Sequence, residues 1–429
     1  MRILFTNNTL SNRAGSELYV RDLATTFRRR GHELVAYSPF LGDVADDLRS
    51  ATIPVTNDLR SIRVRPDVIH GQHHMETMAA LAHFPGVPAV YVCHGWLPWQ
   101  ESAPRHPRIV EYVAVDATVR DRLIYEDGVD PADVRLLLNF VDLHRFRRRK
   151  PLPEKPLRAL IFCNTATEDN FGWMVRAACA KRQIYVDIVG YAVERPQRNP
   201  EALLPEYDLV FARARSALEA MAVGCAVIVA DPRGIGGSVT TSNFDEMRGK
   251  NFGIRTLTTP LTTEGLERAI EAYDADESAR VSERVRNEAD LETVASEYEE
   301  IYSAACRRLH AHPVDGEADR EAFAAYLGWL SAQTKRPEMA EWNDLRACLD
   351  TALLDVKALR ERLRLSNASD QIPPNRRGST DAGLGVEVER LRALVASYES
   401  SPFIRVRDRL YGVPPLVWLY RRLRRRASS

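Results

Sequence analysis

One repeated unit governs what this chain can fold into, and the unit runs twice. Short, nearly continuous apolar runs alternate with amphipathic stretches of helical period as far as about residue 310. The runs "RILFT", "ELVAY", "DVIH", "AVYVC", "YVAV" and "VRLLL" come first. Between the first two lies a helix from about Ser16 to Arg30, with Tyr19, Leu23 and Phe27 on one face. Strands that are apolar on both faces and separated by helices form a parallel sheet covered on both sides. The alternation breaks at "RFRRRKPLPEKP", residues 145–156, basic and proline-rich as a linker is. It restarts with "RALIF", "YVDIVG", "YDLVF" and "CAVIVAD". The expectation is an α/β protein of two facing, doubly wound domains, 1–148 and 155–312, with a cleft between them. Open parallel sheets bind ligands beyond the carboxyl ends of their strands, so the two edges facing that cleft are where chemistry is expected.

Beyond about residue 315 the pattern changes. Residues 316–365 read as helical and close with "LLDVKALRERLRL", spaced for helix packing or a short coiled coil. Pairing of chains and packing on the core both fit that stretch. Residues 366–384 are polar and turn-forming, a flexible linker. Residues 385–429 hold another short helix and a basic amphipathic tail, in which Trp418 precedes Arg421, Arg422, Arg424, Arg425 and Arg426. Too short to span a bilayer, such a tail is expected to lie on an anionic membrane surface.

With 59 acidic and 59 basic residues, the chain gives no general case for nucleic acid. Its six cysteines are scattered without a C-x-x-C pair, as in reduced, buried thiols. "MRILFTNN" already reads as a strand, so no signal peptide is expected, and no apolar run approaches the roughly 20 residues of a membrane span. These features point to a cytoplasmic protein, peripheral on the inner face of the plasma membrane where its tail binds.

The stretch with most chemistry is "DLVFARARSALEAMAVGCAVIVAD", residues 208–231. A helix built to be buried carries one acid, Glu219, with Arg213 and Arg215 just upstream. Ser216 and Glu219 match an S-x-x-E capping box, in which the acid returns to its own helix start. Alternatively, a helix N-terminus at a cleft offers N–H groups to an anion, Arg213 and Arg215 add charge-assisted bonds to phosphate, and Glu219 accepts two ribose hydroxyls. His70, His73 and His74 in "HGQHH" also follow a strand. No carboxylate or cysteine completes a metal set with them, so hydrogen bonding on the acceptor side is expected. "DAD" at 274–276 lies between surface helices and reads as a solvated turn.

"LEAMAVGCAVIVAD" resembles the nucleotide-binding part of retaining, family 4 glycosyltransferases of the GT-B fold, which carry E-x7-E followed by A-M-A-x-G. "NRAGSELYVRDLATTFRRRGHELVAY" and "NFVDLHRF" resemble other segments of that family. The resemblance implies transfer of a sugar from a nucleotide-diphosphate-sugar donor to a hydroxyl of a glycan or lipid-linked acceptor, with no metal or other cofactor. It places Glu219 on the ribose and His94, in "YVCHGWLPW", on the donor sugar. Gly234, Gly236 and Gly237 then line the phosphate pocket, and Gly15 and Ser16 meet a phosphate or an acceptor hydroxyl. Two family features are absent: the first acid falls at Phe211, and the G-R…K loop has no counterpart in "FCNTATEDNFG". Arg213 and Arg215 are expected to replace that loop. Phe140 stands where the family has glycine, and Asn139 and Asp142 read as structural. The absences leave two alternatives, a non-catalytic binding module and another sugar-nucleotide reaction such as epimerisation.

Overall fold

The computed structural model describes residues 1–335, of which Met1–Ala324 form one compact unit. The expected linker at 366–384 and the basic tail with Trp418, Arg421, Arg422, Arg424, Arg425 and Arg426 lie outside the described residues.

Seven strands build the first sheet: β1 (Arg2–Thr6), β2 (Glu33–Tyr37), β3 (Val55–Thr56), β4 (Val68–Gln72), β5 (Ala89–Cys93), β6 (Ile109–Ala114) and β7 (Val134–Leu136). All pair in parallel, in the order β3-β2-β1-β4-β5-β6-β7. The second sheet holds β8 (Arg158–Phe162), β9 (Tyr185–Val189), β10 (Leu209–Ala212), β11 (Ala226–Asp231) and β12 (Gly234–Ser238), in the order β12-β11-β10-β8-β9. Only β12 runs antiparallel there. Side chains alternate across a strand, and this sheet is covered twice for that reason. Leu209 and Phe211 of β10 pack with Val175 and Cys179 of the Trp173–Ala180 helix on one face. Val210 and Ala212 pack with Leu218 and Met221 of the Ala214–Val223 helix on the other.

The chain does not keep its last helices with the second sheet. Leu291–Ala311, placed with the second domain by a boundary at 312, packs instead on the first sheet and its opening helix, Gly15–Arg29. Tyr298 and Tyr302 are fully buried there. The Tyr298 hydroxyl lies 2.7 Å from that of Tyr19, and the Tyr302 hydroxyl 2.6 Å from Nδ1 of His70. Arg30 bridges Glu292 and Glu299 of the same helix. The start of the next helix, from Gly316, is tied to the first domain too: Asp319 accepts from the buried guanidinium of Arg108, which also donates to the Leu81 and Phe84 carbonyls. Residues 145–156 are irregular, as expected of a linker, yet held: Phe146 is buried, and Arg149 pairs with Asp208 at 2.8 Å. Cys93, Cys163, Cys179 and Cys225 are free and buried, and Cys306 is half-buried. No helix among the described residues is long and apolar enough to cross a membrane.

Candidate active site

Strand order reverses in the first sheet between β1 and β4 and in the second between β8 and β10. Crevices open at such reversals, beyond the carboxyl ends of the strands. A cavity of about 90 Å³ lies where the two meet. The first domain supplies Arg13, Gly15, Leu18 and Arg21, and the second supplies Phe162, Asn164, Tyr191, Arg215, Ser216 and Glu219. Two residues other than glycine turn left-handed at these edges: His73, after β4, at φ +62°, and Ala214, after β10, at φ +50°. A side chain in that region costs roughly 1–2 kcal/mol, and such strain gathers at functional sites.

Glu219 does not fold back on Ser216. The Ala214–Val223 helix begins three residues earlier than a cap at Ser216 requires; its N-cap is Arg213, with no side-chain capping bond. Ser216 is therefore the third residue of the helix, and Glu219, one turn on, reaches the cavity wall. Burial pushes its carboxyl above the ordinary carboxylate value, and Arg215 pulls it back only part of the way.

Arg215 is the hinge of the site's electrostatics. Its Nε donates to Glu219 at 2.8 Å, while Nη2 donates across the domains to Asp22 of the opening helix. Asp22 is buried and gathers two further arginines, Arg21 at 2.6 Å and Arg145 at 3.2 Å. Burial alone pushes the Asp22 carboxyl up, but Arg215, Arg21 and Arg145 together outweigh it and hold it below its usual value. Burial likewise opposes charge on Arg215, yet Asp22 and then Glu219 keep it firmly protonated. The Phe140 ring lies 5.9 Å from its guanidinium, so the aromatic side chain in place of glycine packs against Arg215.

Arg213 stands elsewhere. Expected on a diphosphate, it is bound through Nε to Asp231 at the end of β11, 2.6 Å away, and does not line the cavity. Nor do Gly234, Gly236 and Gly237, which form the antiparallel strand β12. A Cβ on Gly234 or Gly236 would meet the Thr259 or Thr256 carbonyl at 2.9 or 2.7 Å, so these two glycines serve close backbone packing. Gly15 does line the cavity, whereas the Ser16 hydroxyl turns to Glu17 at 2.9 Å. Asp274 caps the helix from Ala275 by accepting from the Glu277 N–H, which explains "DAD" as a helix start.

Behind the opening helix lies a second cluster. His94 follows β5, its ring 4.6 Å from Tyr19, and its Nε2 is buried with no partner among the described residues. Burial, then His73, His70 and Arg215, hold His94 neutral by lowering its pKa far below the usual imidazole value. Its backbone N–H donates to Glu101 at 2.9 Å. His73 accepts from the Asn8 N–H at 3.3 Å and stands 3.5 Å from Glu101, while His74 packs on Trp99. The loop is pinned by buried Arg122, which donates to the Gly95 and Pro98 carbonyls. Burial raises both Glu101 and Glu17 to about 7. Sequence reasoning missed these two acids. Glu17 had a signal, as a carboxylate on the buried face of the opening helix; Glu101, in an irregular loop, had none.

Residues 13–145 match the family model for Glycosyltransferase Family 4. A glycosyltransferase from Rickettsia africae superposes with a TM-score of 0.53 at 13% identity, over 71% of this chain and 98% of that one. An Anabaena protein, solved with UDP and glucose, superposes with a TM-score of 0.51 at 16% identity, over 71% of this chain and 100% of that one. No curated protein matches the sequence significantly. The fold is GT-B, and the likeness to family 4 is carried by residues 13–145. Against the family 4 pattern, Phe211 in place of the first acid is fully buried, 6.5 Å from Phe171 in the core. The turn after β8 lacks the basic loop as well: Thr167 caps it, and the next arginine, Arg176, pairs with Glu168 on the surface.

Proposed function

We propose that the chain is a glycosyltransferase that moves a sugar from a nucleotide-diphosphate donor to an acceptor hydroxyl. The observation that carries this reading is Glu219, a buried acid on the cavity wall one turn inside a helix start. There it accepts the ribose hydroxyls, and the helix N–H groups and Arg215 hold the departing diphosphate. The neutral Nε2 of His94 orients the donor sugar, and the first domain presents the acceptor. These groups supply the positive charge, so the proposal calls for no metal. Retention at the anomeric carbon and an acceptor in cell-envelope glycan assembly, reached from the membrane's inner face, complete it. A cavity of about 90 Å³ is too small for a nucleotide sugar, which needs a pocket of roughly 300 Å³ or more. The donor therefore enters an opened cleft, and closure excludes water.

Titration calorimetry with uridine, guanosine and thymidine diphosphates tests the reading. One of them binds, and Glu219→Ala weakens it about tenfold or more, as loss of a charged hydrogen bond does. Equal affinity in the variant sinks the assignment. A second reading, a binding module without turnover, is favoured by Arg215 being shared between Asp22 and Glu219 and by Arg213 being committed to Asp231. Nucleoside diphosphate released from the sugar nucleotide only when acceptor is added separates transfer from this module, and from epimerisation.

A further inference from the structure

Five arginines and one acid line the cavity: Arg13, Arg21, Arg145, Arg198 and Arg215 against Glu219. The other carboxylates that pair with them, Asp22, Asp43, Asp47 and Glu201, are absent from its wall. Three of those four line the neighbouring groove. The wall thus presents guanidinium groups whose counter-ions stand behind them, and such backing fixes an anion site in place.

A donor diphosphate accounts for one side of this wall, the side of Arg215 and Ser216. The opposite side belongs to the first domain. Arg13 is nine-tenths buried; its terminal nitrogens reach Asp47 and the Arg198 carbonyl, but its Nε is buried with no acceptor. A buried donor left unpaired destabilises its surroundings, and a ligand oxygen would satisfy it. Beside it starts the 15-residue helix Gly15–Arg29, whose N-cap, Ala14, has no side-chain capping bond. A Cβ on Gly15 would meet nothing within 4 Å, so a ligand can come close to the helix start at that residue.

We infer that this wall binds a phosphate carried by the acceptor, so that the substrate which receives the sugar is a phosphorylated sugar or polyol. The inference rests on the transferase reading and specifies its acceptor. Arg13 and the helix start hold the phosphate, Arg21 adds charge, and the acceptor hydroxyl is thereby carried toward the donor sugar.

Glucose 6-phosphate, glucuronate and glucose are titrated into the free protein and into protein saturated with whichever nucleoside diphosphate binds tightest. Glucose 6-phosphate is expected to bind about tenfold or more tighter than glucose and tighter than glucuronate. Arg13→Gln removes that preference while changing nucleotide affinity less than about twofold, and Glu219→Ala does the reverse. Arg198→Ala, at a side chain 69% exposed, gives a smaller loss and serves if Arg13→Gln fails to fold. Vesicles of phosphatidylinositol in phosphatidylcholine, used in place of the sugar phosphate, distinguish a lipid-borne phosphate from a soluble one. Equal binding of glucose and its phosphate to the protein, with no binding to those vesicles, overturns the inference. So does an Arg13→Gln variant that loses nucleotide instead, because Arg13 then belongs to the donor. If no nucleoside diphosphate binds at all, the transferase reading falls, while the titrations of free protein still decide the anion site.

Discussion

Asp22→Asn removes one charge on which three arginines converge. The carboxylate is buried, 2.6 Å from Arg21 and 3.2 Å from Arg145, and accepts from Arg215 across the domains. Removing one partner of a buried ion pair costs roughly 3–5 kcal/mol, because the other charge stays behind without compensation. Here Arg145 keeps Glu201 at 2.9 Å and Arg215 keeps Glu219 at 2.8 Å. The lower end therefore applies, about 3 kcal/mol, or on the order of a hundredfold in the unfolding equilibrium. Urea denaturation at pH 7 reads the loss, and salt shields a buried cluster little. The Asp22 pKa is lowered in the fold, so its stabilisation is present above the ordinary aspartate value of about 3.9 and fades as pH falls through the folded value. The deficit of the variant should thus hold from pH 8 down to about 5 and shrink below 4. A double-mutant cycle with Arg215→Met isolates the cross-domain pair. Additivity within about 0.5 kcal/mol, or a stability deficit smaller than that, would refute the reasoning.

Two further outcomes follow from the geometry. Glu101 titrates at about 7 in the fold, so folding favours its protonated form, and the protein loses stability as pH rises from about 4.5 through 7. Glu101→Gln should remove about 2–3 kcal/mol of the difference between pH 5 and pH 8, read by denaturation at both; an unchanged difference excludes Glu101 as its source. Gly190, at φ +148°, leaves no room for a methyl group: its Cβ would stand 2.2 Å from the Cys163 carbonyl oxygen. Gly190→Ala should cost about 3 kcal/mol or more in thermal or urea unfolding, and a variant of native stability would show that the turn after β8 yields.

How much of this was legible beforehand varied with the range of the interaction. The strands around Glu219 were readable because apolar runs of strand length, set between helical periods, admit few other arrangements. The family resemblance puts the glycines of β12 in a phosphate loop; the carbonyls of Thr256 and Thr259, which require two of those glycines, are not visible from local pattern. Glu219 stands out as a charge inside an apolar helix, with Arg215 just upstream. What Arg215 binds does not, since Asp22 lies 193 residues away and ion-pair choice is decided by tertiary packing. The helical period of residues 291–311 showed a buried face without showing which sheet it covers.

The return of that helix to the first sheet governs how the protein emerges from the ribosome. Tyr19, Phe27 and His70 belong to the first 70 residues made, yet they are closed over by Tyr298 and Tyr302. The first domain's core therefore stays incomplete while the whole second domain is synthesised. Nascent chains stalled before residue 291 should hold an apolar face open for chaperones, and those released after residue 311 should not.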